Sequence, residues 1–282
     1  MRIAVTGASG FIGTHLLRSL SGDGHAMCVV SRSQPPREAL EGADAVVNLA
    51  GEPVAQRWTT AARKQIFDSR VNGTRELVRA ISQMGRKPAT LISMSAVGYY
   101  GDRGEEELSE SSPPGTDFLA GVCQAWEAEA LRAEEDGVRV VCLRLGVVIG
   151  PGGGALSKML PAFRLGLGGP LGTGRQWMPW VDIADVAGLV SFALANGSLR
   201  GPMNTVSPHP VRNADFTAAL GRSLRRPAIL RVPSFALQLA LGEMSGMLLW
   251  GQKVFPQAAS QAGYEFLVPS VETSLRRLSE IH

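Results

Sequence analysis

The chain of 282 residues is long enough to bury a substantial core, as one large domain or as two unequal lobes. Apolar residues make up 45% of it and charged residues 19%, which is typical of globular proteins. The formal charge of +3 is small and the arginine pairs at 225–226 and 276–277 are isolated, so we expect no nucleic-acid partner.

Cysteine and histidine are few and widely spaced. The cysteines at positions 28, 123 and 142 have no Cys-x-x-Cys spacing, and the four histidines have no metal-ligand spacing. We therefore expect free thiols and no metal site. The first apolar stretch is too short for a secretory signal and no apolar run would cross a bilayer, so we expect a cytoplasmic protein without a membrane partner.

The chain opens with a short apolar run that passes into three glycines spaced three residues apart. This pattern predicts a strand, a tight loop and a helix over residues 11–21. Such a loop suits the pyrophosphate of a dinucleotide, because glycines allow close approach of the main chain and the first helical N–H groups are partly positive. The candidate contacts are Gly7, Ser9, Gly10, Phe11, Ile12 and Gly13.

A second predicted strand, over residues 26–30, ends at Ser31 and Arg32. This position meets the adenosine ribose in dinucleotide-binding folds, and an acidic residue here would repel a 2'-phosphate. Arg32 instead offers guanidinium donors, and Ser31 a hydroxyl, to that phosphate. We therefore predict NADP(H) as the cofactor. The alternative is that Arg32 is a solvated charge after a strand.

Strands and helices alternate through residue 150. Hydrophobic periodicity predicts strands at 45–49, 90–95 and 138–145 and helices at 60–84 and 118–135. The alternation favours an α/β fold, a Rossmann doubly wound parallel sheet with right-handed crossovers. Small residues after the third strand, Ala50 and Gly51, leave room for a cofactor across its end. The acidic, proline-rich residues 103–116 predict a surface excursion.

Beyond Pro151 the pattern becomes mostly helical. Asp182 and Asn213 are predicted helix caps. One predicted helix ends at residue 163. Three more span residues 183–194, 214–224 and 234–250, and two others begin at residues 256 and 269. We predict an NADP-binding domain of residues 1–150, to which 176–206 return, and a small substrate lobe of residues 151–175 and 207–282.

Several strings resemble a known family. TGASGFIG at 6–13, NLAG at 48–51 and Ser95 at a later strand end resemble the extended short-chain dehydrogenase/reductases. The strings RWT at 57–59, WEA at 126–128 and GQKV at 251–254 are similar to the atypical "epimerase family protein" subgroup, which is related to the NAD-dependent epimerases and dehydratases. This resemblance implies an NADP(H)-binding Rossmann domain with a small C-terminal lobe. Besides the glycines, it implies cofactor contacts at Ser31, Arg32, Leu49, Ala50, Arg70 and Val148.

Reductases of this superfamily transfer a hydride at the nicotinamide while a tyrosine passes the proton, its pKa lowered by a lysine four residues on. Aligning Glu127 with the acidic residue that trails this motif puts Leu119 at the tyrosine position and Cys123 at the lysine position. Leucine has no proton to give, and a buried thiol carries no positive charge. The usual proton relay is therefore missing.

Ser95 and two tyrosines remain as catalytic candidates. Ser95 would orient the substrate oxygen. Tyr99 or Tyr100, just past the same strand end, would donate the proton. Arg70 or Lys64 would lower the pKa of that phenol. The alternative is that both tyrosines pack with the ring inward and the hydroxyl at the rim.

The tryptophans form a second candidate set, an apolar lid over the substrate made by Trp58, Trp177, Met178 and Trp180.

Two candidate functions follow from these residues. One is an NADP(H)-dependent oxidoreductase or epimerase acting on a small carbonyl or hydroxyl compound. The other is a regulatory protein that binds NADPH without turnover, as expected for subgroup members labelled cell-division inhibitors. Helices 60–84 and 118–135 are common dimer surfaces in the superfamily, which makes a homodimer an expectation.

Overall fold

The computed structural model describes residues 1–31 and 36–279. The strands in chain order are β1 Arg2–Thr6, β2 Ala26–Val30, β3 Ala45–Asn48, β4 Thr90–Ala96, β5 Glu107–Leu108, β6 Arg139–Leu145, β7 Val147–Ile149, β8 Trp177–Met178, β9 Trp180–Asp182, β10 Gly201–Thr205, β11 Val211–Arg212 and β12 Lys253–Val254. The helices are α1 Phe11–Gly22, α2 Pro36–Leu40, α3 Thr60–Phe67, α4 Gly73–Ser82, α5 Phe118–Leu131, α6 Gly154–Arg164, α7 Ile183–Ala195, α8 Asn213–Leu224, α9 Ser234–Leu241, α10 Gly246–Leu249, α11 Gln257–Gln261 and α12 Val271–Ser279.

Within the described residues, six parallel strands form the central sheet in the order β2-β1-β3-β4-β6-β10. β1 pairs with β2 on one side and with β3 on the other, so the chain order reverses there. In a doubly wound sheet this reversal opens a crevice at the carboxyl ends of the strands, where ligands bind. The predicted α/β fold with a helical C-terminal region is confirmed.

Alternate residues of the strands enter two apolar clusters, one on each face of the sheet. Ile3 and Val5 pack in the cluster that includes residues of α1 and α7, whereas Ala4 packs with residues of α4. β3 is buried along its whole length, as expected for a central strand covered on both faces. The core therefore lies on both sides of the sheet and leaves its carboxyl edge for the site.

Two predicted helices are interrupted. Between α3 and α4 the helix widens into a π-helical turn, Asp68–Asn72, a feature that often marks functional sites. The helix predicted at 234–250 ends at Leu241, because Gly242 has φ of +62°, a conformation that leaves the helix. A 3₁₀ turn, Gly242–Ser245, and α10 follow.

One of the two predicted helix caps is confirmed. Asp182 accepts a hydrogen bond of 2.8 Å from the N–H of Ala184 and caps α7. The prediction for Asn213 is wrong, because its Oδ1 accepts from the N–H of Leu171 at 2.8 Å and ties the loop before β8 to α8. Helix α8 begins without a side-chain cap.

The excursion at 103–116 is more than a surface loop. It contains β5, which pairs in parallel with β12 from the C-terminal region, and Leu108 in β5 is only 1% exposed. β10 completes the central sheet beside β6, and β9 pairs with β7. These pairings connect the C-terminal half of the chain to the carboxyl edge.

Candidate active site

The glycine loop between β1 and α1 is closely packed on two sides and open on the third. Gly7 has φ of +66°, and a Cβ there would lie 2.8 Å from the carbonyl of Leu49. A Cβ on Gly13 would lie 2.5 Å from the carbonyl oxygen of Gly7. At Gly10 an added Cβ would meet only the Gly7 oxygen, at 3.3 Å. Among the described residues beyond its two chain neighbours, no other atom lies within 4 Å of this position, which leaves room for a ligand above Gly10.

The first turn of α1 supplies the donors for that space. Gly10 precedes the helix without a side-chain cap, so the amide groups of Phe11 and Ile12 have no side-chain acceptor among residues 1–31 and 36–279. Ser9 and Gly10 are exposed, whereas Phe11 and Ile12 are half-buried. Together with the helix dipole, these amides form an anion site of the kind that binds a pyrophosphate.

Thr6 fixes the opposite side of the loop. Its Oγ1 donates to Asn48 Oδ1 at 2.7 Å and accepts from the N–H groups of Leu49 and Ala50 at 3.1 and 3.2 Å. The carboxyl ends of β1 and β3 are thereby held in register. Leu49 and Ala50, both predicted cofactor contacts, are held beside the loop by these hydrogen bonds to Thr6.

A second layer of hydrogen bonds extends this support to two helices. Asn48 Nδ2 donates to Thr74 Oγ1 at 2.9 Å, and Trp126 Nε1 donates to the same oxygen at 2.9 Å. All three side chains are buried. Sequence reasoning missed this network, because its members lie in different elements and no local pattern in the sequence links them.

Arg70 lies in the π-helical turn, at the edge of the cleft beside Gly51. A Cβ on Gly51 would lie 3.1 Å from the Arg70 guanidinium carbon, so a larger residue there would press on the guanidinium. Arg70 Nη1 donates to the carbonyl oxygen of Glu52 at 2.8 Å, and the guanidinium lies 5.2 Å from the ring of Trp126. Burial lowers the pKa of this guanidinium. In the part of the chain that the structure describes, Arg70 forms no ion pair.

Val148 lies on the far side of the cleft, against the start of α1. It is buried in an apolar cluster with Val181 and Ile183, on which Phe11 and Ile12 pack. A Cβ on Gly153 would lie 2.6 Å from the Phe11 ring, so the loop before α6 fits closely against that ring. The predicted contacts at Val148, Phe11 and Ile12 are therefore adjacent in space.

Ser31 follows β2 directly, and the neighbouring strand β1 ends at Thr6, opposite Val30. Ser31 thus lies at the same edge of the sheet as the glycine loop, and its side chain is exposed. Arg32, on which the prediction of NADP(H) over NAD(H) rests, lies outside the described residues.

Ser95 is held by a buried ion pair. Its Oγ donates to Glu127 Oε1 at 2.6 Å, and Arg144 donates to both carboxylate oxygens of Glu127 at 2.8 Å. All three residues are buried. The hydroxyl proton of Ser95 is therefore engaged. A charged residue in an apolar strand, Arg144 in β6, was the signal for this pair in the sequence.

Tyr100 is fully buried, and its hydroxyl lies between two polar side chains. It donates to Asn204 Oδ1 at 2.6 Å and accepts from Arg144 Nη1 at 3.0 Å. Burial raises the pKa of this phenol to about 12, an effect that Arg144 only partly opposes. The expected lowering of the phenol pKa is therefore wrong for Tyr100, because desolvation exceeds the effect of the neighbouring cation.

Tyr99 differs from Tyr100 in its surroundings. Its ring packs face-on against the Arg144 guanidinium, 3.4 Å from the ring centre, and edge-on against Tyr100. Tyr99 is half-buried, and its hydroxyl has no hydrogen-bond partner among residues 1–31 and 36–279. Of the two tyrosines, Tyr99 has the hydroxyl that remains available.

Helix α5 places Leu119 and Cys123 beside the end of β4. A Cβ on Gly98 would lie 3.5 Å from Leu119 and 3.9 Å from the Cys123 sulfur. Burial raises the pKa of the Cys123 thiol to about 12, which keeps it protonated and neutral. The helix is therefore oriented toward this strand end, but with side chains that cannot move a proton.

A cavity of about 770 Å³ lies between the first half of the chain and the C-terminal helices, lined among others by Trp58, Asp117, Phe118, Gln176, Gln238 and Trp250. An ion pair between Arg63 and Glu243 joins its two sides. This size accommodates a small organic molecule.

The predicted tryptophan lid is wrong in part, because the four side chains do not lie together. Trp58 lines the cavity and packs edge-on against Phe118, with ring centres 5.3 Å apart. Trp180 is fully buried and donates to the carbonyl of His209, and Trp177 donates to Glu105.

Residues 1–31 and 36–279 contain no group of three or more His, Cys, Asp or Glu side chains placed to hold a metal ion. Across the same residues, every helix is too short or too polar to cross a bilayer. The three cysteines are free thiols, two of them buried.

Comparisons with known proteins place the chain in a family. The model of the NAD dependent epimerase/dehydratase family matches residues 3–205, and that of a domain of unknown function, DUF1731, matches residues 232–278. The chloroplastic SDR39U1 homologue of Arabidopsis thaliana is 41% identical over 99% of this chain and 87% of that protein. The epimerase family protein MT2273 of Mycobacterium tuberculosis is 41% identical over 94% of this chain and 93% of that protein.

Solved structures support the same family assignment. The human epimerase family protein SDR39U1, crystallised with NADPH, is 38% identical, with a TM-score of 0.94 and 99% of each chain covered. A UDP-glucuronic acid 4-epimerase from Bacillus cereus shares the fold at 17% identity, with a TM-score of 0.81 and coverage of 99% of this chain and 98% of that one. The chain belongs to the NAD dependent epimerase/dehydratase family.

Proposed function

We propose that this chain binds NADP(H) along the carboxyl edge of its sheet. The glycine loop fits that group, since the space above Gly10 is open and the first amides of α1 have no side-chain acceptor. The human relative was crystallised with NADPH. The residues that would hold the cofactor are Gly7, Ser9, Gly10, Phe11, Ile12, Gly13, Ser31, Arg32, Leu49, Ala50, Gly51, Arg70 and Val148.

We further propose that the protein is an oxidoreductase or epimerase acting on a small carbonyl or hydroxyl compound. When bound, the cofactor supplies a hydride donor or acceptor. The cavity beside Trp58 and Phe118 has the size and the mixed polar and aromatic lining that such a compound requires.

The position of Arg70 carries this proposal. It is a half-buried cation that donates to the carbonyl oxygen of Glu52 and has no ion-pair partner in the described residues, in a chain that has lost the tyrosine and lysine of its superfamily. A buried charge without a partner is costly, and it is retained where it acts on a ligand. Arg70 would stabilise negative charge that develops on the substrate oxygen.

Proton transfer falls to Tyr99 or to a water molecule that it orients. The hydroxyls of Ser95 and Tyr100 are both engaged with buried partners, whereas that of Tyr99 has none in the described part of the chain. Ser95 would orient a substrate hydroxyl from the end of β4, since its own proton is donated to Glu127 and its oxygen lone pairs remain free to accept.

The test is a panel of small aldehydes, ketones and sugars, assayed by loss of the reduced nicotinamide absorbance. Tyr99→Phe should lower turnover by about a hundredfold or more, the usual contribution of a general acid. Tyr264→Phe is the matched control, because it removes a phenol whose hydroxyl donates to Asp185 and makes no contact with Arg144, Glu127 or Ser95. Equal turnover in Tyr99→Phe and the unaltered protein would contradict the role of Tyr99.

A second function is favoured by a different observation. Leu119 and Cys123 occupy the relay positions beside the end of β4 and cannot transfer a proton there. The chain would then be a regulatory protein that binds NADPH without turnover. Tight NADPH binding, together with no consumption of NADPH and no epimerised sugar among the products of the panel, would support this second function over the first, since an epimerase regenerates its cofactor.

A further inference from the structure

A second and larger cavity, of about 1370 Å³, lies between α1, the loop at 150–153, α6, α8 and α12. It shares no lining residue with the cavity beside Trp58. Its lining also includes none of the three loop glycines Gly7, Gly10 and Gly13. It is therefore separate from the site described above.

The lining of this second cavity is strongly basic. Six arginines contribute to it, from four different helices and the residues that follow α8: Arg18, Arg164, Arg222, Arg225, Arg226 and Arg276. Among the described residues Glu272 is the one carboxylate in the lining, and it lies 3.8 Å from Arg222. Arg18, Arg164, Arg225 and Arg226 form no ion pair with any residue in 1–31 or 36–279.

The sequence explains why carboxylates are so scarce here. Residues 137–181, which include α6, and residues 216–242, which include most of α8, contain no aspartate or glutamate at all. Like charges gathered around one concave surface repel one another and concentrate a positive potential within it. An arrangement of this kind is stabilised when an anion enters.

The floor of the cavity is apolar. Leu156 and Leu220 are each 1% exposed and belong to one cluster of the core, on which Leu160 and Leu224 pack. All four leucines line the cavity. An apolar floor below a ring of guanidinium groups suits a molecule with a flat, apolar body and several phosphate groups.

We propose that this cavity binds a nucleoside polyphosphate. The arginines hold the phosphate chain through charge-assisted hydrogen bonds, and the base packs on Leu160 and Leu224, the two half-buried leucines of the floor. Arg225 lines the cavity at the end of α8, where it has φ of +53°, a left-handed position at which glycine is usual.

The experiment is calorimetric titration of the full chain, saturated with NADPH so that the glycine loop is filled, with ATP and with inorganic tripolyphosphate at low ionic strength. The test variant is Arg225→Gly with Arg226→Gln, in which glycine suits the left-handed backbone. The matched control is Arg79→Gln with Arg200→Gln, which removes two exposed arginines outside the cavity. Arg164→Gln is a second, independent test variant.

We expect saturable ATP binding that weakens about tenfold in each test variant, the effect of losing one or two charge-assisted contacts, and less than about twofold in the control. Tripolyphosphate should bind more weakly than ATP, because it has no base for the leucine floor. The proposal is overturned by absence of saturable ATP binding, by equal weakening in the control, or by tripolyphosphate binding as tightly as ATP. NADPH affinity should be unchanged in all variants, which separates this site from the proposed cofactor cleft.

Discussion

Arg144 and Glu127 form a bidentate ion pair in the protein interior, with both N–O distances at 2.8 Å and side chains only 3% and 8% exposed. The same guanidinium donates to the Tyr100 hydroxyl, and the same carboxylate accepts from Ser95. One ion pair thereby connects β4, β6 and α5 beneath the candidate active site. Ser95, at the end of β4, is therefore held in place by this ion pair.

Replacing Glu127 by glutamine should lower the free energy of unfolding by about 3–5 kcal/mol, because a buried guanidinium loses its counter-charge. The measurement is urea denaturation. The control is Glu107→Gln, which removes an exposed partner of Lys253 and should cost less than about 1 kcal/mol. Similar small losses in both variants would show that the interior pair is solvated.

The stability of the protein should fall as pH rises from 10 toward 12. Burial raises the pKa of Tyr100 to about 12, above its ordinary value of 10.0, so the folded state keeps a proton that the unfolded state loses in this interval. The contribution of Tyr100 to the free energy of unfolding is therefore intact below pH 10, and roughly 3 kcal/mol of it is lost as pH rises through 12.

The measurement that isolates Tyr100 is the slope of stability against pH in Tyr100→Phe. This variant is expected to be less stable at neutral pH, since Asn204 and Arg144 each lose a partner. Its stability should nevertheless decline less between pH 10 and 12 than that of the unaltered chain. An identical decline would assign the alkaline transition to other groups, such as Tyr264, whose pKa burial also raises.

Local patterns were enough to predict the sheet and the glycine loop. The apolar run before Gly7 and the spacing of Gly7, Gly10 and Gly13 depend on neighbours within a dozen residues, and so does the cap of α7 at Asp182. Such features are encoded by conformational preference and periodicity, which a single sequence displays directly.

The polar supports of the site could not be predicted, because they join residues that are far apart in the chain. Thr6 and Asn48 are separated by 42 positions, and Thr74 and Trp126 by 52. Nothing local distinguishes a threonine that bonds across the sheet from one that faces solvent. The failed cap at Asn213 has the same cause, since the distant N–H of Leu171 competes for its side chain.

Specificity for NADP(H) is tested at Arg32, whose structure lies outside the described residues. Arg32→Ala should weaken NADPH binding by about tenfold or more, the loss of a guanidinium contact to a phosphate, and leave NADH binding nearly unchanged. Fluorescence titration with both cofactors measures this ratio. Arg37→Ala, which removes an exposed arginine of α2, is the control. Equal weakening of both cofactors would mean that Arg32 does not recognise the 2'-phosphate.

Two glycine substitutions in the loop should have different effects, because the space around them differs. At Gly13 a Cβ would lie 2.5 Å from the carbonyl oxygen of Gly7, so Gly13→Ala should displace the backbone and lower the melting temperature of the cofactor-free protein by several degrees, in proportion to a loss of about 1–3 kcal/mol. At Gly10 the corresponding distance is 3.3 Å and the rest of the space is open.

Gly10→Ala should therefore leave the melting temperature of the cofactor-free protein within about two degrees of the unaltered chain, as expected for a change below 0.5 kcal/mol. Its methyl group would occupy the space in which we place the pyrophosphate, and NADPH affinity should fall by about tenfold or more. Thermal unfolding and NADPH titration of both variants distinguish an effect on packing from an effect on cofactor binding. If Gly10→Ala bound NADPH as tightly as the unaltered chain, the pyrophosphate would have to lie elsewhere than above Gly10.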